Sequence, residues 1–371
     1  MDRAINVALV HDYLVQDGGA ERVLACFQEM FPEAPTYVII HNRQRPHPVT
    51  HEENVHASFI NRLPGAKRLY QLYTPFMPMA IEHLDLSAFD LVISSSSSFG
   101  KGLIVPPETL HICYCHTPTR FLWHDRFSYI HDHIRPRTLA RLAYPLLHKM
   151  RLWDMVAAQR PDHLITNSRK SQERIRRYYQ REAAVLHPPV ETERIPVSQQ
   201  TGSYWLAGGR LVAYKRFDLL LEAFKTIDAP LKIFGNGPEA SRLKKMAPSN
   251  VELLGHIDDA TKFDLYAGCK GFLHPQLEDF GITAVEAMAA GKPVIAYGKG
   301  GGAETVIDGV TGIHLQTQTP EEIRQVIQNF DAHAFNPQHI RTQAERFSKD
   351  RFIQEFRQVI DTALHAHASR Y

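Results

Sequence analysis

Apolar residues in this 371-residue chain fall in short unbroken runs, separated by longer stretches where they recur every three or four positions. Unbroken runs of this kind predict strands buried on both faces, as in parallel sheets covered by helices. A first series comprises INVALV from Ile5, TYVII from Thr36, FDLVIS from Phe89, HICYC from His111, HLITN from His163 and AAVLH from Ala183. A second comprises YWLAGG from Tyr204, LKIFG from Leu231, VELLG from Val251, GFLHP from Gly271, PVIAY from Pro293 and GIHLQ from Gly312. Helical patterns lie between them, such as GAERVLACFQEMF, RKSQERIRRYYQ, FDLLLEAFKTI and ATKFDLYAGC.

Strands alternating with helices predict an α/β class with two doubly wound domains. A polar, proline-punctuated segment from His187 to Gly202 divides the series, so the domains are expected over 1–190 and 203–347. The last helix, within 348–371, has no strand after it and can pack back on the first domain. Ligands of such folds bind beyond the carboxyl ends of the strands, which directs attention to a cleft between the domains.

Composition narrows the class. The chain is 44% apolar and 22% charged with a net charge of +2, which does not indicate a dedicated nucleic-acid binder. It has no apolar run of about 18 residues that would span a membrane. MDRAINVALVHDYL has no secretory signal pattern, so a cytoplasmic location is expected, with inner-membrane contact as an option. Cys26, Cys113, Cys115 and Cys269 lack metal-ligand spacing and read as buried hydrophobes of a reducing compartment.

Four stretches carry candidate chemistry. In HDYLVQDGGAERV, Gly18 and Gly19 precede a helix and bring backbone amides close to an anion or sugar; the alternative is a plain glycine turn. There is no G-x-G-x-x-G, which disfavours a nicotinamide enzyme. In YCHTPTRFLWH, His116 begins the loop after a strand, where imidazole donates or accepts at neutral pH. In LAGGRLVAYKRF, Arg210 and Lys215 put two cations on the loop after a strand, suited to a diphosphate leaving group or else simply solvated charge.

The fourth, LEDFGITAVEAMAAGKPVIAYGKGGGAETVI, sets Glu278 and Glu286 eight positions apart around Gly281. Thr283 and Glu286 read as a capping box, with Gly291 and then Pro293 ending the helix. Glu278 precedes the helix and has no such explanation. The amides of Gly281, Ile282 and Thr283 are expected at the helix N-terminus, where an anion binds. Carboxylates before and after them suit sugar and ribose hydroxyls.

This block, with GGRLVAYKRFDLLLEAF, IFGNGPE, VELLGHI and the early GGAERV, resembles the family 4, group 1 retaining glycosyltransferases of GT-B fold, with two Rossmann-like domains. The wording is most similar to the bacterial O-antigen and exopolysaccharide mannosyltransferases. The resemblance implies that Arg210 and Lys215 grip the donor diphosphate, with Gly18, Gly19, Phe280, Gly281, Ile282 and Thr283 beside it. Glu278 and His116 then serve as catalytic residues at the transferred sugar, Glu286 holds the ribose, and backbone near Ile257 meets the base. Asp279 stands where many members carry glycine.

The implied reaction moves a hexose, mannose from GDP-mannose by this resemblance, to a saccharide or lipid-linked saccharide in surface-polysaccharide synthesis. It retains anomeric configuration and needs no metal or cofactor. Other readings are an epimerase or phosphorylase of the same fold, or a nucleotide-sugar-binding module without catalysis. Residues 135–153, RPRTLARLAYPLLHKMRLW, mix cations with leucines and aromatics, as a helix touching an anionic bilayer would. An ordinary amphipathic helix packed on its sheet accounts for the pattern too. Co-sedimentation with anionic vesicles, abolished by salt, is the outcome expected of the membrane reading; no binding at low salt rules it out.

Overall fold

The computed structural model of the chain describes residues 5–44, 47–48, 51–127 and 137–369, with 137–143 as helical backbone only. It forms two compact units, Met1–His187 with Ile353–Tyr371, and Pro188–Phe352.

The first unit is built on a seven-stranded parallel sheet: β1 (Val7–Leu14), β2 (Thr36–His41), β3 (Val55–Ala57), β4 (Leu91–Ser96), β5 (Leu110–Cys115), β6 (His163–Thr166) and β7 (Ala184–Val185). Their order is β3-β2-β1-β4-β5-β6-β7, so the winding reverses between β1 and β4. The second unit has six strands: β8 (Tyr204–Gly208), β9 (Leu231–Phe234), β10 (Val251–Gly255), β11 (Cys269–His274), β12 (Val294–Tyr297) and β13 (Gly312–Leu315). Their order, β10-β9-β8-β11-β12-β13, reverses between β8 and β11. The pairings are parallel throughout.

All twelve apolar runs are strands. The thirteenth, β3, was not legible, because a three-residue edge strand buries only Val55 and offers no periodicity to read. Buried runs explain the rest: β4 and β5 have every residue buried.

The helix Lys349–Ala368 carries the chain from the second unit into the first, where Phe356 packs on Phe27 with ring centroids 4.6 Å apart. In the second unit, Val190 and Ser348 form a parallel bridge, through Val190 N–H to Phe347 O (3.0 Å) and Lys349 N–H to Val190 O (3.0 Å).

The helix Arg137–Ala157 puts Leu147 and Met150 into the first unit's core, while Tyr144, Leu152 and Val156 stay exposed. Of the segment 135–153, residues 135–136 and the side chains of 137–143 lie outside the described residues. No helix among the described residues is long and apolar enough to cross a membrane.

One charged group of that helix is wholly inside. Asp154 pairs with Lys101 at 2.6 Å, both about fully buried, and accepts from Thr119 Oγ1 (2.7 Å), Trp123 Nε1 (2.7 Å) and Tyr179 OH (2.8 Å). Burial by itself lowers the Lys101 pKa, but Asp154 outweighs it and leaves the ammonium raised. Such a pair is costly to break because its survivor stays buried and charged. Asp154→Ala is therefore expected to destabilise the first unit by about 3–5 kcal/mol in urea unfolding. A loss below about 1 kcal/mol, the level of a surface pair, would sink this account.

Candidate functional site

In the second unit the loops after β8 and β11 leave the sheet at the reversal of winding, where α/β sheets bind ligands. The first loop carries Arg210, exposed, and Lys215, buried; the second carries Glu278. Lys215 Nζ lies 2.8 Å from Glu278 Oε1, with the two side chains 10% and 14% exposed. Burial by itself would raise the Glu278 carboxyl, but Lys215, then His274 and Gln276, bring it down to about 2. Burial also works against the Lys215 ammonium, and Glu278 reverses this to leave its pKa raised.

His274 ends β11 fully buried, and its pKa falls to about 4 through desolvation, so it is neutral. Its Nδ1 accepts from Gln276 Nε2 at 2.9 Å, which leaves the proton on Nε2, 3.3 Å from Glu278 Oε2. Glu278 is thus flanked by an ammonium and a neutral imidazole.

The glycines of this region make room for that pair. Gly281 has φ +92°, and a Cβ there would sit 2.8 Å from His274 Nε2. A Cβ on Gly209, φ +126°, would sit 2.8 Å from Lys215 Nζ. The triple-glycine run is explained by backbone contact: Gly301 N–H donates to Glu278 O at 2.8 Å, and a Cβ on Gly301 would meet Phe280 O at 2.1 Å.

The capping box expected of Thr283 and Glu286 does not form. Gly281 is the N-cap of the helix Ile282–Ala289. Thr283 lies inside the first turn with its buried hydroxyl unpartnered. Only glycine readily takes the left-handed conformation that starts the helix there. Glu286 turns instead to the helix Asp259–Gly268, accepting from Lys262 Nζ at 3.0 Å and Tyr266 OH at 2.9 Å. The first intrahelical bonds run to Gly281 O from Ala284 and Val285, so the amides of Gly281, Ile282 and Thr283 precede the helical ladder. Phe280 points its ring into the core against Phe347 (5.3 Å), leaving only its backbone for a ligand. Ile257 follows β10 half-buried on the same core, and Asp279 is half-buried.

His116, Gly18 and Gly19 belong to the first unit. His116 Nε2 lies 2.9 Å from Ser95 Oγ, and Ser95 in turn meets His11 Nδ1 through its carbonyl (3.0 Å) and hydroxyl (3.1 Å). A carbonyl only accepts, so His11 Nδ1 carries a proton and Ser95 is free to donate to His116. Burial, then His11, lowers the His116 pKa to about 3, so it acts as a neutral imidazole. Asp12, at the reversal of winding, accepts from the amides of Ser97 (2.6 Å), Ser98 (2.8 Å), Phe99 (2.8 Å) and Gly100 (2.7 Å). Its charge is consumed in holding that turn.

Gly18 caps the helix Gly19–Met30 in extended backbone, and a Cβ there would lie 2.7 Å from Glu21 Oε2. Glu21 is 3% exposed with Oε2 unpartnered, and burial pushes its carboxyl up to about 7.

Sequence reasoning missed His274, Lys262, Tyr266, Ser95 and Glu21. The strand-end position that singled out His116 applies equally to His274, and Lys262 and Tyr266 stand at i, i+4 on one helix face.

Residues 190–346 match the family model described as glycosyl transferases group 1, and residues 17–194 match glycosyltransferase family 4. The chain belongs to this glycosyltransferase family. Within it, D-rhamnosyltransferase WbpZ of Pseudomonas aeruginosa is 28% identical over 54% of this chain and 56% of its own. O-antigen chain mannosyltransferase C of Escherichia coli is 24% identical over 48% and 51%. The chain spans about half the length of the curated relatives it matches. Anabaena HepE, solved with UDP and glucose, shares the fold with TM-score 0.69 and 18% identity, over 96% of this chain and 99% of that one. This family member thus has the GT-B architecture of two Rossmann-like domains.

Glu21 makes a pH prediction for this glycosyltransferase-family chain. Its folded pKa, about 7, stands above its ordinary value of 4.5. Its stabilising contribution is full below 4.5 and is lost as pH rises through 7, by up to about 3 kcal/mol. Glu21→Gln is expected to raise the melting temperature at pH 8 and to flatten its decline between pH 5 and 8. An unchanged decline would contradict the assignment.

Proposed function

We propose that the chain transfers a hexosyl unit from a nucleoside diphosphate sugar to a saccharide or lipid-linked saccharide, with retention, in surface-polysaccharide synthesis. The observation that carries this reading is the Lys215–Glu278 pair at the winding reversal, beside the amides that open the helix Ile282–Ala289. Lysine has three N–H donors, so one bond to Glu278 leaves two for a diphosphate oxygen. Arg210, exposed on the same loop, supplies a planar fork for the same charge.

In the proposed step the anomeric carbon–oxygen bond to the diphosphate breaks as a bond to the acceptor hydroxyl forms on the same face. The acceptor's proton goes to the leaving phosphate oxygen. Lys215, Arg210 and the amides of residues 281–283 stabilise the developing negative charge, while Glu278 and neutral His116 orient the sugar. Gly18 and Gly19 line the approach to donor and acceptor. Glu286 receives the ribose hydroxyls, and backbone near Ile257 meets the base. Cationic side chains take the role a divalent metal plays elsewhere, so transfer is expected to survive EDTA. Action on the inner side of the cytoplasmic membrane fits a lipid-linked acceptor.

GDP-mannose is the donor this reading favours, supported by the similarity to the O-antigen mannosyltransferase. The fold likeness to HepE, solved with UDP and glucose, makes UDP-glucose the necessary comparison. A donor panel read by released nucleotide, with product anomers assigned by NMR, tests donor and stereochemistry together. Glu278→Gln is expected to lower kcat by about 10²–10³ while nucleotide binding persists. Turnover at the wild-type level in that variant, or inverted product, would refute the mechanism.

A further inference from the structure

Away from the residues used above, one group of side chains in the first unit has the composition of a transition-metal site. His41 closes β2, His47 lies on the loop that follows, and Glu52 opens the short 3-10 turn Glu52–Asn54. One ligand atom from each lies within 4.8 Å of the others, and this is the one such group among the described residues.

Three of the four ring nitrogens lack a hydrogen-bond partner. His41 is 4% exposed and the His47 side chain 2% exposed. His41 Nε2 and both His47 ring nitrogens make no hydrogen bond. His47 Nε2 stands 3.3 Å from Glu52 Oε1, an ion-pair distance without a hydrogen bond. Buried ring nitrogens without partners are costly and rare. The start of the loop is fixed: His41 N–H donates to Asn61 Oδ1 (3.1 Å), and Asn42 N–H to Leu14 O (2.9 Å).

We propose that His41, His47 and Glu52 bind one divalent transition-metal ion of the zinc class. Two imidazoles and a carboxylate are the donor set of an open tetrahedral zinc site, completed by water. Ligand atoms around tetrahedral zinc stand about 3.3 Å apart, given bonds of about 2.0 Å. The 4.8 Å within which the three atoms lie is wider than this, so binding draws the side chains together. Arg43 and Lys67 lie close enough to oppose a cation, and Glu52 is the charge that offsets them. The ion clips the loop leaving β2 to the turn at Glu52. His41 pairs in register with Leu14, so this clip sits on the sheet edge from which the Gly18–Gly19 loop also departs. It takes no part in the proposed transfer.

The test uses the full chain without a histidine tag. Isothermal titration with Zn²⁺ should show one tight equivalent that raises the melting temperature, and Co²⁺ should give tetrahedral ligand-field absorption saturating at one equivalent. His41→Ala with His47→Ala should abolish both signals while circular dichroism is unchanged. Glu52→Gln, at a half-exposed position, should weaken binding about 10-fold or more and alter the cobalt spectrum. Retention of the cobalt signal in the double variant, or in Glu52→Gln without change, overturns the proposal. So does the absence of a one-equivalent event in the wild type.

Discussion

The second unit is organised around a carboxylate and an ammonium held 2.8 Å apart at the reversal of its sheet. Partly desolvated charges of opposite sign hold each other's ionisation, and that coupling brings the Glu278 carboxyl down to about 2 and leaves the Lys215 ammonium raised. The surrounding backbone follows from the need to bring two loops that close. A Cβ on Gly209 would fall on Lys215 Nζ and one on Gly281 on His274 Nε2, and Gly301 lets a third loop hydrogen-bond behind Glu278. Lys215, His274 and the backbone of Phe280 thus account for glycine in three separate segments.

The first unit solves the same topological problem differently. Its reversal lies between β1 and β4, and there the carboxylate, Asp12, is fully engaged by four amides of the following turn. The polar capacity of that sheet edge resides instead in neutral groups: His116 joined to His11 through Ser95, and the high-pKa carboxyl of Glu21. The second unit presents paired charges at its reversal, and the first presents hydrogen-bonding imidazoles and a hydroxyl.

Much of this was legible in the residues. Fully buried parallel strands are unbroken apolar runs, so twelve of them could be read directly, whereas Val55–Ala57 has one buried residue and no pattern. Lys215 and Glu278 stood out because each follows a strand. The misreading of Thr283 and Glu286 has a definite cause: capping grammar is local, while Glu286 is bonded to Lys262 and Tyr266, 24 and 20 positions earlier. Local spacing cannot report such partners, nor the backbone contact that requires Gly301. Neutral, buried imidazoles such as His274 are equally silent in composition, since 21 histidines look alike until burial sorts them.

The return of the last helix affects how the molecule is made. Residues from Ile353 onward complete the first unit, where Phe356 sits against Phe27 of the first helix. During synthesis residues up to His187 emerge first, yet their core lacks this aromatic until the segment from Ile353 has left the ribosome. The contiguous second unit has no such wait. Maturation of the first unit therefore waits on a segment made more than 160 positions after its last strand, and Phe27 lacks its Phe356 partner until that segment is available.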